Sequence, residues 1–148
     1  GPNRRAFDDR LGVLAEGAGD PPACLVIFDI DYFKQVNDSL GHEAGDRILQ
    51  EVSQTIKSTL RDDDLVARLG GDEFGVLLAN SDLARGERVA VRVLEAIDSA
   101  GSEPPVTATA GVSLIGHDGR HAMVRADTAL YHAKHAGRNR VAVAGDDS

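Results

Sequence analysis

The chain has 148 residues, 42% of them apolar, and a net charge of −8. That length fits one domain, able to bury roughly two-thirds of its unfolded surface, and residues 1–148 are read as a single domain. The negative charge argues against a nucleic-acid or membrane-surface binder, because both partners are anionic, and an anionic substrate would need metal ions and locally placed cations. No apolar run approaches the ~20 residues of a membrane span, and no signal peptide is visible. The chain therefore reads as a cytoplasmic domain, which a longer protein could still anchor to a membrane through other regions. Cys24, the single cysteine, lies in an apolar run and reads as a buried core thiol.

Gly1-Pro2 resembles a cloning remnant. The spacing of Phe7, Leu11 and Leu14 predicts a helix with one packed face, broken at Gly17 to Pro22. Gly17-Ala18-Gly19 precedes a strand instead of following one, which is wrong for a dinucleotide loop, and no P-loop pattern occurs. Ala23 to Ile30 is a continuous apolar run, read as a strand buried on both faces. Asp29 sits where that strand emerges, and a charge there needs a partner or a metal. Asp31 reads as the N-cap of a short turn. A long helix is predicted from about Gly41 to Leu60, with Ile48, Val52, Ile56 and Leu60 as its apolar seam. Asp46 falls in its first turns, where it would at least suit the helix dipole.

Next come a charged turn at Arg61 to Asp64, a strand at Leu65–Leu69 and a strand at Phe74–Ala79. Between these strands lies Gly70-Gly71-Asp72-Glu73, a hairpin with an acidic tip. Glycines there let a backbone approach a bulky ligand, and carboxylates offer the hard oxygen atoms that Mg²⁺ takes one or two at a time. A helix is predicted over about Asp82 to Ala100, with Arg85, Arg88 and Arg92 outward. Val106 to Ile115 alternates and reads as a half-buried strand. A last helix, about His121 to His135, ends at Gly137 as a C-cap, and a strand at Arg140–Val143 closes the chain. The order αβααββαβαβ implies an α/β (α+β) fold, a mixed, largely antiparallel five-stranded sheet flanked by helices.

Several motifs then stand in order: Asn3-Arg4-Arg5, Asp29-Ile30-Asp31 with Phe33-Lys34, Asn37-Asp38, Gly41-His42, Gly45-Asp46 and Arg68-x-Gly70-Gly71-Asp72-Glu73-Phe74. Ala126-Asp127-x-Ala129-Leu130-Tyr131-x-Ala133-Lys134-x-x-Gly137-Arg138-Asn139-Arg140 follows. In these the chain resembles the GGDEF-domain diguanylate cyclases over nearly its whole length. The resemblance implies a fold like that of class III nucleotide cyclases and polymerase palms. It implies condensation of two GTP molecules into cyclic di-GMP with release of two pyrophosphates, by a homodimer of half-sites. By the same resemblance Asp29, the Ile30 carbonyl and Glu73 hold Mg²⁺ (Mn²⁺ is an alternative), two ions per site. Asp72 matches the proton acceptor and also touches metal.

Lys34, Lys134 and Arg138 match the residues that contact phosphates, and the four-residue spacing of the last two would point them one way from a helical end. By the same resemblance Gly70 and Gly71 belong to the substrate site. Guanine would be read by Asn37 and Asp46, with His42 nearby. A carboxylate accepts guanine's adjacent N1–H and N2–H₂ donors together and repels the acceptor that adenine presents at N1. Arg61-x-x-Asp64 matches the family's product-inhibition site for cyclic di-GMP, and Arg92 an arginine that some members contribute from a neighbouring domain. An Asp-x-Leu-Thr segment that the family usually carries just upstream, near the motif arginine (here Arg68), falls before this chain begins. The competing reading is a catalytically weak GTP- or cyclic di-GMP-binding regulatory module, which changes in Gly70–Phe74 would have signalled. A third, a different nucleotide cyclase or hybrid dinucleotide synthase, is opposed by Asp46.

Overall fold

A computed structural model of the protein describes residues 4–145. Gly1, Pro2 and Asn3 lie outside the described residues, and with them the reading of the first two and the start of the Asn-Arg-Arg motif. The elements are α1 (Arg4–Glu16), β1 (Cys24–Ile30), α2 (Phe33–Leu40), α3 (His42–Ser58), β2 (Leu65–Gly70), β3 (Glu73–Leu78), α4 (Leu83–Ser99), β4 (Ala108–Leu114), α5 (Gly119–His135) and β5 (Val141–Val143).

All seven residues of β1 are buried, as its unbroken apolar run requires. The strand lies at the centre of a five-stranded sheet of order β2-β3-β1-β4-β5. Pairings β2–β3, β3–β1 and β1–β4 are antiparallel, and β4–β5 is parallel. The sheet is thus mixed and largely antiparallel, as the element order implies. Alternate side chains of β1 feed two cores. Cys24, Val26, Phe28 and Ile30 meet Ile48, Val52 and Ile56 of α3 and Val89, Val93 and Ile97 of α4. Leu25 and Ile27 meet Phe7 and Leu11 of α1 and Ala126 and Leu130 of α5. Three layers result, with the sheet in the middle. Burial pushes the Cys24 thiol up to about 12, in keeping with an inert core residue.

β4 departs from expectation in two ways. It pairs only from Ala108 to Leu114, and it is buried on both faces. The residues that mimic a solvent face, Thr109, Gly111 and Ser113, instead lie under α5. A Cβ on Gly111 would sit 2.2 Å from the Ala126 carbonyl oxygen, so the glycine is what lets α5 lie flat on the strand. Small residues can line a dry helix contact as readily as a wet surface.

α5 ends in a Schellman arrangement, with Gly137 N–H on the Lys134 carbonyl at 3.3 Å and Arg138 N–H on the Ala133 carbonyl at 3.1 Å. Gly137, at φ 129°, takes the conformation that the C-cap reading asks of it.

Candidate functional site

Asp29 and Glu73 are direct partners in the β1–β3 register, so their side chains leave the sheet on the same face, at the ends of their strands. The hairpin tip is tied down beside them: Ile30 N–H donates to the Asp72 carbonyl at 3.2 Å. Arg68 Nε holds the tip from within, donating to the Gly71 carbonyl at 2.9 Å. The β2–β3 register shifts between Arg68 and Gly70, which leaves Gly71 and Asp72 as the turn. No atom lies within 4 Å of where a Cβ would stand on Gly70 or Gly71, so the tip offers bare backbone to whatever approaches.

Lys134, from the last turn of α5, forms an ion pair with Asp29 Oδ2. The other oxygen, Oδ1, is buried and has no hydrogen-bond partner. Burial raises the Asp29 carboxyl to about 6; Lys134 opposes that rise, and Asp72 adds to it. Burial also raises Glu73, helped by Asp127 and Asp29. Asp127 itself is raised by burial, with Lys134 and Arg4 opposing. The site is therefore a set of carboxylates crowded beyond what one lysine compensates. Asp127 belongs to it, although the motif reading gives it no role. Its position seven residues before Lys134 puts both on one face of α5, and that spacing was the available signal.

A hard divalent cation fits this set. It would supply the missing partner of Asp29 Oδ1 and relieve the mutual repulsion with Glu73. Among the described residues no three His, Cys, Asp or Glu side chains are grouped to hold a metal by themselves. Mg²⁺ rarely asks for that, since it completes its shell with water and phosphate oxygens.

The other predicted residues are distributed around this end. Lys34 is exposed and pairs with Asp38 at 2.9 Å, one turn along α2, which raises its pKa. Arg138 lies past the end of α5 in left-handed backbone, φ 62°, so the helical argument for pairing it with Lys134 does not hold. The two cations come from different backbone segments, and the Arg138 guanidinium carbon lies 5.0 Å over the Tyr32 ring. Asn37 faces α3 closely: its side-chain oxygen is 2.2 Å from where a Cβ on Gly45 would stand, which only glycine allows. His42 is exposed at the start of α3. Asp46 is exposed and lines a groove of about 640 Å³ with Leu49, Arg68 and Phe74. A second groove of about 710 Å³, between α1 and the start of α5, is more apolar; of the motif residues only Arg4 lines it. None of Asp29, Asp72, Glu73 and Asp127 lines it, which outweighs its size.

Asp31 is not a cap. Tyr32 holds the N-cap position of α2 and makes no side-chain cap bond. The Asp31 carboxylate turns inward instead, accepting from Thr107 and Thr109 hydroxyls. Arg61 and Asp64 stand at the opposite end of β2 from Gly70. Asp64 accepts from Arg61 N–H at 2.9 Å and Ala79 N–H at 3.3 Å, and Arg61 donates to the Ala79 carbonyl at 2.9 Å. Arg92 is exposed on the outer face of α4.

Residues 2–140 match the family described as diguanylate cyclase, GGDEF domain. The chain is 38% identical, over 95% of its length, to a probable diguanylate cyclase, DgcT of Escherichia coli, and spans 33% of that relative. It superposes with TM-score 0.90 on the GGDEF domain of YfiN (TpbB) from Pseudomonas aeruginosa, at 35% identity, covering 99% of this chain and 98% of that one. It superposes with TM-score 0.88 on the coiled coil and GGDEF domain of DgcB from Caulobacter crescentus in complex with c-di-GMP, at 29% identity, covering 96% and 81% of the two chains. With this match over nearly every described residue, and the carboxylate pair at the tip of the Gly-Gly hairpin, the chain belongs to the GGDEF diguanylate cyclase family.

Proposed function

We propose that this domain condenses two GTP molecules into cyclic di-GMP, releasing two pyrophosphates. The observation that carries the reading is the Asp29–Glu73 pair at the strand ends, with Asp29 Oδ1 buried and unpartnered beside a hairpin tip of bare glycine backbone. Asp29, the Ile30 carbonyl and Glu73, with Asp72, would hold two Mg²⁺ ions, with Mn²⁺ as an alternative. Bound there, such ions would make a ribose 3′-OH more acidic and neutralise charge on the departing pyrophosphate.

The chain's own residues do the rest. Gly70 and Gly71 let the nucleotide lie against the hairpin backbone. Lys34, Lys134 and Arg138 surround the place where phosphates would sit. Lys134 exchanges its pairing with Asp29 for the phosphates as nucleotide arrives, freeing that carboxylate. Asp72, beside Asp29, would take the proton of the attacking hydroxyl. Asn37 and Asp46, with His42 near, select guanine.

One site accommodates one nucleotide, yet the product contains two joined by a symmetrical pair of bonds. Catalysis therefore needs two chains facing each other about a two-fold axis. Arg61 and Asp64, with Arg92 from a second domain, form the feedback site for cyclic di-GMP. The domain acts in the cytoplasm, where GTP is supplied. Incubation with Mg²⁺ and GTP, with products identified by mass and chromatography, tests the reading. Cyclic di-GMP is the expected product, and bound but unconverted GTP in concentrated protein would identify a binding module instead.

A further inference from the structure

Asp31 is 4% exposed, yet neither metal nor substrate needs it. Its backbone N–H donates to the Thr107 carbonyl at 2.9 Å. Its Oδ1 accepts from the Thr109 hydroxyl at 2.6 Å. Its Oδ2 accepts from the Thr107 hydroxyl at 2.7 Å and from Asn139 N–H at 3.2 Å. Asn139 N–H also reaches the Thr109 hydroxyl, at 2.9 Å. One carboxylate thus joins the end of β1, the approach to β4 and the turn after α5. Burying a charge is a costly way to connect three segments, which raises the question of what the turn must hold.

That turn runs through Gly137, Arg138 and Asn139 at φ 129°, 62° and 50°. Left-handed backbone is strained for Arg138, though Asn139 tolerates it readily, and the strain persists only where surrounding bonds fix it. Tyr32, the residue after Asp31, is left-handed as well, at φ 58°. Tyr32 and Arg138 are the two members of the ring–guanidinium contact. Asp31 holds one of them through the chain and the other through its carboxylate.

We infer that Asp31 is a positioning residue for Arg138: it fixes the strained turn through Asn139 and sets Tyr32 as the platform on which the guanidinium lies, facing the phosphates of the nucleotide. The inference rests on the cyclase reading for the identity of that nucleotide. A guanidinium already held over the ring loses little freedom when its planar fork takes a phosphate, so the arrangement favours binding.

A double-mutant cycle tests this, read by calorimetry with an α,β-methylene analogue of GTP and Mg²⁺. Arg138→Ala should weaken binding about tenfold or more, as loss of a charge-assisted contact does. Asp31→Asn, which turns an amide N–H₂ toward donors, should weaken it several-fold, and Thr109→Val offers a second route to the same loosened turn. In the Arg138→Ala background either change should alter affinity less than about twofold, because the group they act through is gone. Fully additive losses would overturn the inference, since Asp31 would then act through Asp29 or through general stability. A second readout needs no nucleotide. In the ligand-free protein the Arg138 Nε–H resonance should be shifted by the Tyr32 ring, and Asp31→Asn should return it toward its unstacked position. A shift that survives Asp31→Asn, or is absent from wild type, overturns the positioning role. Wild type that shows the shift and binds no analogue leaves the positioning standing and removes the cyclase reading alone.

Discussion

Lys134 closes on one oxygen of Asp29 while the other oxygen of that carboxylate has no donor. Burial keeps this group protonated to about pH 6, against 3.8 for an ordinary aspartate. Between those values the folded chain binds more protons than the unfolded one, so this contribution to stability falls as pH rises. It is fully present below about pH 4 and gone once pH has passed about 6. Asp29→Asn removes it. In metal-free buffer the melting temperature of wild type minus that of Asp29→Asn should be larger near pH 4 than at neutral pH. A difference that grows with pH would contradict the buried, unmet carboxylate.

The same residue is a proposed metal ligand. Asp29→Ala and Glu73→Gln should each lower turnover by at least about two orders of magnitude, since a bound metal contributes several kcal/mol of charge stabilisation. The fold should survive, because both side chains sit at strand ends and neither belongs to the two apolar cores. Circular dichroism and product formation, measured on the same samples, separate the two outcomes. EDTA should abolish wild-type turnover and Mg²⁺ restore it.

Much of this architecture was legible because its signals are periodic. The apolar run of β1, the four-residue seam of α3 and the paired glycines of the hairpin each state their own structure. What escaped was decided between segments distant in sequence. Asp31 looks like a cap from its neighbours alone; its partners Thr107, Thr109 and Asn139 are 76 to 108 residues away. β4 looked half-wet because Thr109, Gly111 and Ser113 are small or polar, and only the seating of α5 shows why they must be small. Arg138 looked helical by spacing, whereas Gly137 reverses the backbone just before it. In the site, residue types revealed the carboxylate pair, but the part of Asp127 emerges only once α5 is seated across β4 and β1, where its charge reaches Glu73.

Asp46 carries the prediction about base choice. It is exposed in the groove beside Arg68 and Phe74, free to meet a ligand edge. Asp46→Ser removes the carboxylate that we propose accepts from guanine N1–H and N2–H₂ and repels adenine N1. The preference for GTP over ATP should fall at least about tenfold, as it does when a site loses its discriminating polar group. Competition binding measures this, and an unchanged preference would remove Asp46 from the guanine site.

Assembly can be tested through concentration. If two domains must face each other, specific activity should rise with protein concentration, and a coiled coil fused before α1 should raise it further at low concentration. Sedimentation alongside the assay is the control. Constant specific activity in a verified monomer would require both nucleotides to bind one chain.

The proposed feedback site meets the sharpest structural competition. Arg61 and Asp64 already have work within the fold, since Asp64 accepts from two backbone N–H groups and Arg61 spans to the Ala79 carbonyl. Asp64 has a side chain only 1% exposed, so it serves chiefly to hold this turn. The Arg61 side chain is 50% exposed and keeps further donors in its planar fork for guanine O6 and N7 or for phosphate. Arg61→Ala should therefore cost about 1 kcal/mol of stability, the usual net worth of a lost hydrogen bond. It should also abolish cyclic di-GMP binding while leaving initial turnover near that of wild type. Asp64→Asn, by contrast, should lower stability more than it lowers affinity. Calorimetric titration of cyclic di-GMP into wild type and both variants distinguishes these effects. Equal binding by wild type and Arg61→Ala, or no binding by either, would place feedback elsewhere and reduce the pair to a fastening between α3 and the end of β3.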